Sequence, residues 1–337
     1  MKQGKQLDIE KLLQHVPMGN LPVINHSISN PNSILSMDQF LAKTTGKGQI
    51  ETYGVYPGIE AFYNTFLASE VSFHHQALSS ILELFYCHSG RVGWNMQGNI
   101  AVYLGTGDLI VHSATCCANS AMMFPLGYAQ GLSLRLDFPC FSENCPTILQ
   151  EAGLNLQRMK ETFCSGNPIV ISSCPELDRI FAPLFSVNQA RRKPYLQIKV
   201  QELLLYLMDF QPGQKALPPY FSQQTELIKE IHHQLTTHLD QRFTIEELSK
   251  QYLINTSTLK EVFKAVYGLP IATYMKEYRI REAMKLLRES DATIAEIACK
   301  VGYGTQGKFS EAFKDVVQML PTAYRKSHNY KVDSSNQ

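Results

Sequence analysis

"TIEELSKQYLINTSTLKEVFK" (244–264) and "TIAEIACKVGYGTQGKFSEAFK" (293–314) are two versions of one pattern. In each, a threonine (Thr244, Thr293) stands three residues before a glutamate (Glu247, Glu296). That is the spacing of a capping box, in which hydroxyl and carboxylate satisfy free backbone N–H groups at a helix start. Apolar residues recur at matching places, Ile245 and Leu248 against Ile294 and Ile297. A small residue, Ser249 or Ala298, follows where a partner helix must come close. After a turn, Asn255 and Thr305 are suited to cap a second helix. Within it, Leu259, Val262 and Phe263, or Phe309, Ala312 and Phe313, fall on one face by their spacing.

A helix, a tight turn and a polar-faced helix make the helix-turn-helix pattern, whose second helix fits the major groove of DNA. One copy alone would equally suit an ordinary helical hairpin. Two copies, joined by the helical stretch "IATYMKEYRIREAMKLLRE" (271–289), favour double-stranded DNA as the partner. The outward positions of the first copy are Thr256, Ser257, Thr258, Lys260, Glu261 and Lys264. Those of the second are Thr305, Gln306, Gly307, Lys308, Ser310, Glu311 and Lys314. Total charge is no guide, since the 337 residues carry a net +1, so any basic patch must come from arrangement.

The phrases "YRIREAMKLL", "TIAEIACKVGY" and "FSEAFKDVVQMLPTAYRK" resemble the carboxy-terminal DNA-binding domain of the AraC/XylS family of bacterial transcription regulators. The resemblance covers roughly residues 225–327. It implies recognition helices at 256–264 and 306–314, placed in successive major-groove segments by the linking helix. It also implies Lys264 and Lys314 as candidates for phosphate contact, which sets affinity and register. The chain departs from the family at Glu261 and Glu311, where relatives often hold arginine, and at Gly307, where a polar side chain is common. Either glutamate would accept a hydrogen bond from cytosine N4, or pair with Lys260, Lys264, Lys308 or Lys314.

Working outward, "QPGQKALPPYFS" (211–222) reads as an interdomain linker because its prolines and glycine cannot continue a helix. The DNA-binding domain is expected at 223–328, followed by a frayed tail at 329–337. Before the linker, 147–210 is helical in period, and "YLQIKVQELLLYLMDF" puts Leu196, Val200, Leu203, Leu204 and Leu207 on one stripe. That stripe is either core or the seam of a homodimer through the 195–210 helix. Residues 49–146 alternate as strands, most strictly in "LSLRLDF" (132–138), after an amino-terminal extension at 1–48. The fold class is therefore α+β, with an antiparallel β-barrel, following helices and an all-α domain.

The stretch "ILELFYCHSGRVGWNMQGNIAVYLGTGDLIV" (81–111) resembles the cupin-like barrel that precedes the DNA-binding domain in many AraC/XylS members. The resemblance implies a small-molecule effector site or a dimerisation module, and contact with RNA polymerase as the usual output. Candidate pocket residues are His74, His75, Tyr86 and Arg135, with Arg135 suited to an acidic effector if its face lines the barrel. His74, His75, Glu83 and His112 are the nearest raw materials for a cupin metal site. Adjacent histidines on a strand point to opposite faces, so no metal and no cofactor is expected. Eight cysteines without a C-x-x-C pair are expected as reduced thiols of a cytoplasmic protein. No membrane span, secretory signal or nucleophile–base constellation stands out. A regulator is expected over an enzyme, with a metalloenzyme fused to a DNA-binding module, or a barrel used only for dimerisation, as the alternatives.

Overall fold

The computed structural model describes residues 2–26, 41–74, 77–96, 98–211, 216–217 and 220–328. The chain divides into two compact units between Ser222 and Gln223. The first opens with helix α1 (Lys2–Leu12), then strands β1 (Val23–Asn25), β2 (Leu41–Thr44), β3 (Lys47–Tyr56), β4 (Ile59–Leu67) and β5 (Glu70–His74). Strands β6 (Ile81–Gly90), β7 (Val92–Met96), β8 (Ile100–Leu104), β9 (Leu109–Ser113), β10 (Asn119–Met123) and β11 (Ala129–Asp137) follow. Helices α2 (Phe138–Glu143), α3 (Thr147–Glu151) and α4 (Leu156–Cys164), strand β12 (Ile169–Ile171), and helices α5 (Pro175–Ser186) and α6 (Gln189–Met208) come next. Two short strands, β13 (Ala216–Leu217) and β14 (Tyr220–Phe221), end the unit.

The strands form two sheets, in the orders β1-β3-β4-β11-β6-β9-β12-β13 and β14-β8-β7-β10-β5-β2, so the expected barrel is two open sheets sharing a core. Pairings are antiparallel except β1 beside β3. The chain crosses between sheets at Gly90, whose φ of 85° suits glycine, and where a Cβ would lie 2.3 Å from the Tyr128 carbonyl oxygen. One core, with Phe66, Phe85, Trp94 and Met122, draws on both sheets.

The opposite face of the first sheet, through Leu82, Leu84 and Tyr86 of β6 and Leu132, Leu134 and Leu136 of β11, packs under the helices. Leu196, Val200, Leu203, Leu204 and Leu207 of α6 belong to that second core, all at most 3% exposed. The α6 stripe is therefore core and not a dimer seam. Burying each leucine stabilises the unit by about 2 kcal/mol. Where a linker was expected, β13 pairs with β12 and β14 with β8, each ending its sheet.

The second unit is helical: α7 (Ser222–Thr237), α8 (Ile245–Gln251), α9 (Thr256–Tyr267), α10 (Ile271–Glu289), α11 (Ile294–Lys300), α12 (Gln306–Val317) and α13 (Pro321–His328). The expected tail at 329–337 lies outside the described residues. Ile280, Ala283, Met284 and Leu287 of α10 share a core with Ile297, Phe309, Phe313 and Tyr324. Toward its other end, Tyr274 of α10 meets Phe263 and Tyr267 of α9. One helix thus carries both hairpins, α8–α9 and α11–α12.

His232 on α7 joins three elements, stacking on Tyr267 at 4.2 Å and hydrogen-bonding the Tyr274 hydroxyl through Nε2 at 2.8 Å. Burial, reinforced by Arg281 and His233, pulls its pKa down to about 4. The neutral ring is the folded form, so its contribution is complete above the unfolded value near pH 6.5 and is lost as pH falls toward 4. Between pH 7 and pH 5 the helical unit is expected to lose about 2 kcal/mol from this group alone. Urea unfolding followed by helical ellipticity at both pH values, compared with His232→Phe, checks it; a wild-type pH dependence equal to the variant's would refute the assignment.

Candidate nucleic-acid interface

Both capping boxes form. Thr244 Oγ1 accepts from the Glu247 N–H at 3.1 Å while the Glu247 carboxylate accepts from the Thr244 N–H at 2.7 Å. Thr293 and Glu296 repeat the exchange at 3.2 and 2.7 Å. Those backbone donors hold both carboxyls below the usual range. The second helices are capped as well, by Asn255 Oδ1 on the Ser257 N–H at 2.8 Å and by Thr305 Oγ1 on the Lys308 N–H at 3.3 Å. Each turn passes through the left-handed region at the same place, Leu253 (φ 51°) in the first hairpin and Gly302 (φ 80°) in the second. Only glycine fits the second, because a Cβ there would lie 2.1 Å from the Leu239 carbonyl oxygen. Leu253, 94% exposed, meets no such wall.

Inward residues Leu259, Val262, Phe263, Phe309 and Phe313 are buried, and Ala312 is half-buried. On α9, Ser257, Lys260, Glu261 and Lys264 are exposed, while Thr256 and Thr258 are half-buried. On α12, Gln306, Gly307, Lys308, Glu311 and Lys314 are exposed with the cap Thr305, and Ser310 is half-buried. Ser257 is less available than its exposure suggests, since its hydroxyl donates to Asn255 Oδ1 at 2.6 Å. Among the described residues, neither Glu261 nor Glu311 closes an ion pair with Lys260, Lys264, Lys308 or Lys314. Asp315 of α12 instead takes Lys276 of α10, and Glu311 adds to the negative field at that lysine.

Residues 248–327 match the helix-turn-helix domain family. A protein of Streptomyces lividans described as an AraC-like transcription regulator is 42% identical over 84 residues, 25% of this chain and 28% of that protein. The HTH-type transcriptional regulator AlkR of Acinetobacter baylyi is 37% identical over 84 residues, 25% of this chain and 27% of AlkR. The carboxy-terminal unit is an AraC-type helix-turn-helix domain. The chain spans little more than a quarter of these relatives' length. Among solved structures, the carboxy-terminal domain of AraT, a response regulator from Geobacillus stearothermophilus, is 25% identical. That likeness covers 33% of this chain and 93% of AraT's domain, with a TM-score of 0.31. The AraC-type domain lies in the unit where the two capped hairpins stand, and its matched stretch includes both α9 and α12.

The effector candidates of the amino-terminal unit do not converge. His74, at the end of β5, is exposed and hydrogen-bonds Asn119 through Nδ1 at 3.1 Å. His75 lies outside the described residues. Tyr86 faces the helices, stacking on Phe181 at 4.2 Å and donating to Asp178 Oδ1 at 3.2 Å; burial pushes its phenol well up. Arg135 faces the other way, between the sheets, 7% exposed, with Nε 2.5 Å from Glu83 Oε1. The acid it meets is the chain's own. Alternation along "LSLRLDF" separates the two faces of β11 but not water from interior, because this sheet is covered on both sides.

Three strands set that pair in a row. Glu83 of β6 stands opposite His112 of β9 on one side and Arg135 of β11 on the other. Cys117, just past the 3-10 turn Ala114–Cys116, donates its S–H to Glu83 Oε2 at 2.7 Å. Sequence reading missed this cysteine because nothing near it in the chain marks it.

Proposed function

We propose that the protein is a sequence-specific DNA-binding transcription regulator, acting in the cytoplasm, whose amino-terminal unit takes a small-molecule effector. The observation that carries this reading is the pair of capped helix-turn-helix hairpins on one linking helix, within an AraC-type domain. Helices α9 and α12 enter successive major-groove segments, their amino-terminal turns on base edges and Lys264 and Lys314 on phosphates. Effector binding acts through α5 and α6, which cover one face of the first sheet, and contact with RNA polymerase makes activation the output. A homodimer through the 195–210 helix has only its outer face to use, where Tyr195 and Ile198 are exposed. No helix among the described residues is long and apolar enough to cross a membrane.

The test is binding of the full chain to fragments upstream of its own and neighbouring genes across a salt series. Lys264→Ala and Lys314→Ala are each expected to weaken all sequences alike and to lower the log–log salt slope by about 1. Glu261→Gln and Glu311→Gln are expected to change base preference by about 1–3 kcal/mol at one position each, as loss of a cytosine N4 acceptor requires. Affinity for those fragments no greater than for random DNA would sink the reading.

A further inference from the structure

We propose that Glu83, His112 and Cys117 bind a divalent transition-metal ion, with Zn2+ the best match to their donor set. One ligand atom from each residue lies within 4.8 Å of the other two, and all three residues are buried. The residues come from β6, from β9 and from the end of the 3-10 turn, and a metal would tie these segments together. Glu83 and His112 share a face because they are directly opposite in the ladder. The turn after β9 then folds back and brings Cys117 Sγ onto Oε2 of Glu83.

His112 is oriented for ligation. Its Nδ1 lies 3.0 Å from the Ser113 carbonyl oxygen. A carbonyl only accepts, so Nδ1 carries the proton and Nε2 the lone pair. A backbone carbonyl in this role is the usual outer support of a metal-binding imidazole. The Trp94 indole holds the ring edge-on at 5.3 Å, and its own N–H is occupied by Ser120 Oγ at 2.9 Å.

Glu83 is divided in the same way. Oε1 is committed to Arg135, and Oε2 is the oxygen that faces Cys117. When the ion enters, the thiol proton leaves to solvent as the sulfur–metal bond forms, and Sγ and Oε2 spread from 2.7 Å to roughly 3.5 Å about a tetrahedral centre. Thiolate disfavours Mg2+ and Ca2+, while mixed sulfur, nitrogen and carboxylate donors suit Zn2+. Thiolate and carboxylate balance the ion's two charges, which leaves the Arg135 charge in excess and makes the fourth position favourable to an anionic ligand. The turn carrying Cys117 reaches the surface at half-buried Thr115 and Cys116, and offers a path for entry.

Full-length protein, purified reduced and stripped with a chelator, is titrated with Co2+ and then with Zn2+. The expected result is one Co2+ per chain with a thiolate-to-cobalt charge-transfer band, displaced by one equivalent of Zn2+. Emission of Trp94, the only tryptophan, should change in step. Cys117→Ser should remove the band and His112→Gln should weaken binding at least tenfold, as loss of a ligand demands at minimum. Cys116→Ser and His74→Ala should retain both band and affinity. No band in the wild type overturns the site, whatever the variants do, and so does a band that survives Cys117→Ser or is lost in Cys116→Ser. The wild-type band and the Trp94 response decide the matter even if a variant fails to fold.

Discussion

Glu83→Leu is expected to destabilise the amino-terminal unit by about 3–5 kcal/mol, since it strands the Arg135 guanidinium between two sheets without its anion. Arg135 is 7% exposed, so little solvent reaches it to replace the lost carboxylate. Arg135→Met should also destabilise the unit, since it leaves the Glu83 carboxylate between the sheets without its cation. The double variant Glu83→Leu/Arg135→Met, which buries no charge, should recover most of the loss. Urea unfolding reports this directly through Trp94, which belongs to the core beside the pair. Losses that simply add in the double variant would show that the two charges do not depend on one another.

Phe313→Ala is expected to cost the helical unit about 3–5 kcal/mol, the usual toll of removing a buried aromatic ring. Phe313 is fully buried, 5.7 Å from Phe309 and 5.6 Å from Tyr324 by ring centroids, so its loss opens a cavity where α12, α10 and α13 meet. A small domain has about 5–15 kcal/mol in total, so most of its margin goes. Binding to every DNA sequence should then fall together, with helical ellipticity lost at lower urea. Phe263→Ala should behave alike through the first hairpin, where the ring packs on Tyr267 and Tyr274. Unchanged ellipticity with altered base preference would mean instead that these rings shape the readout without supporting the fold.

The two hairpins were legible because their determinants are local. A capping box spans three residues, an N-cap two or three, and the buried positions of α9 and α12 repeat every three or four. Ser257 is exposed, but its bond to Asn255 depends on a cap geometry that spacing does not show. The α6 stripe was legible as apolar, yet whether sheet or second chain covers it is not a local property. In the linker stretch the prolines and glycine were visible, while the pairing of Ala216–Leu217 and Tyr220–Phe221 with distant strands was not.

By itself the sequence determined the double helix-turn-helix, its caps, its inward aromatics and its outward lysines and glutamates, all of which follow from periodicities within some twenty residues. Only the tertiary structure decided the fate of Arg135, Glu83, His112 and Cys117. Sheet register sets the first three in one row, and a turn returns a thiol from 34 residues away to the middle of it. Burial between two sheets then leaves these side chains to satisfy one another, as a paired charge and a set of metal donors.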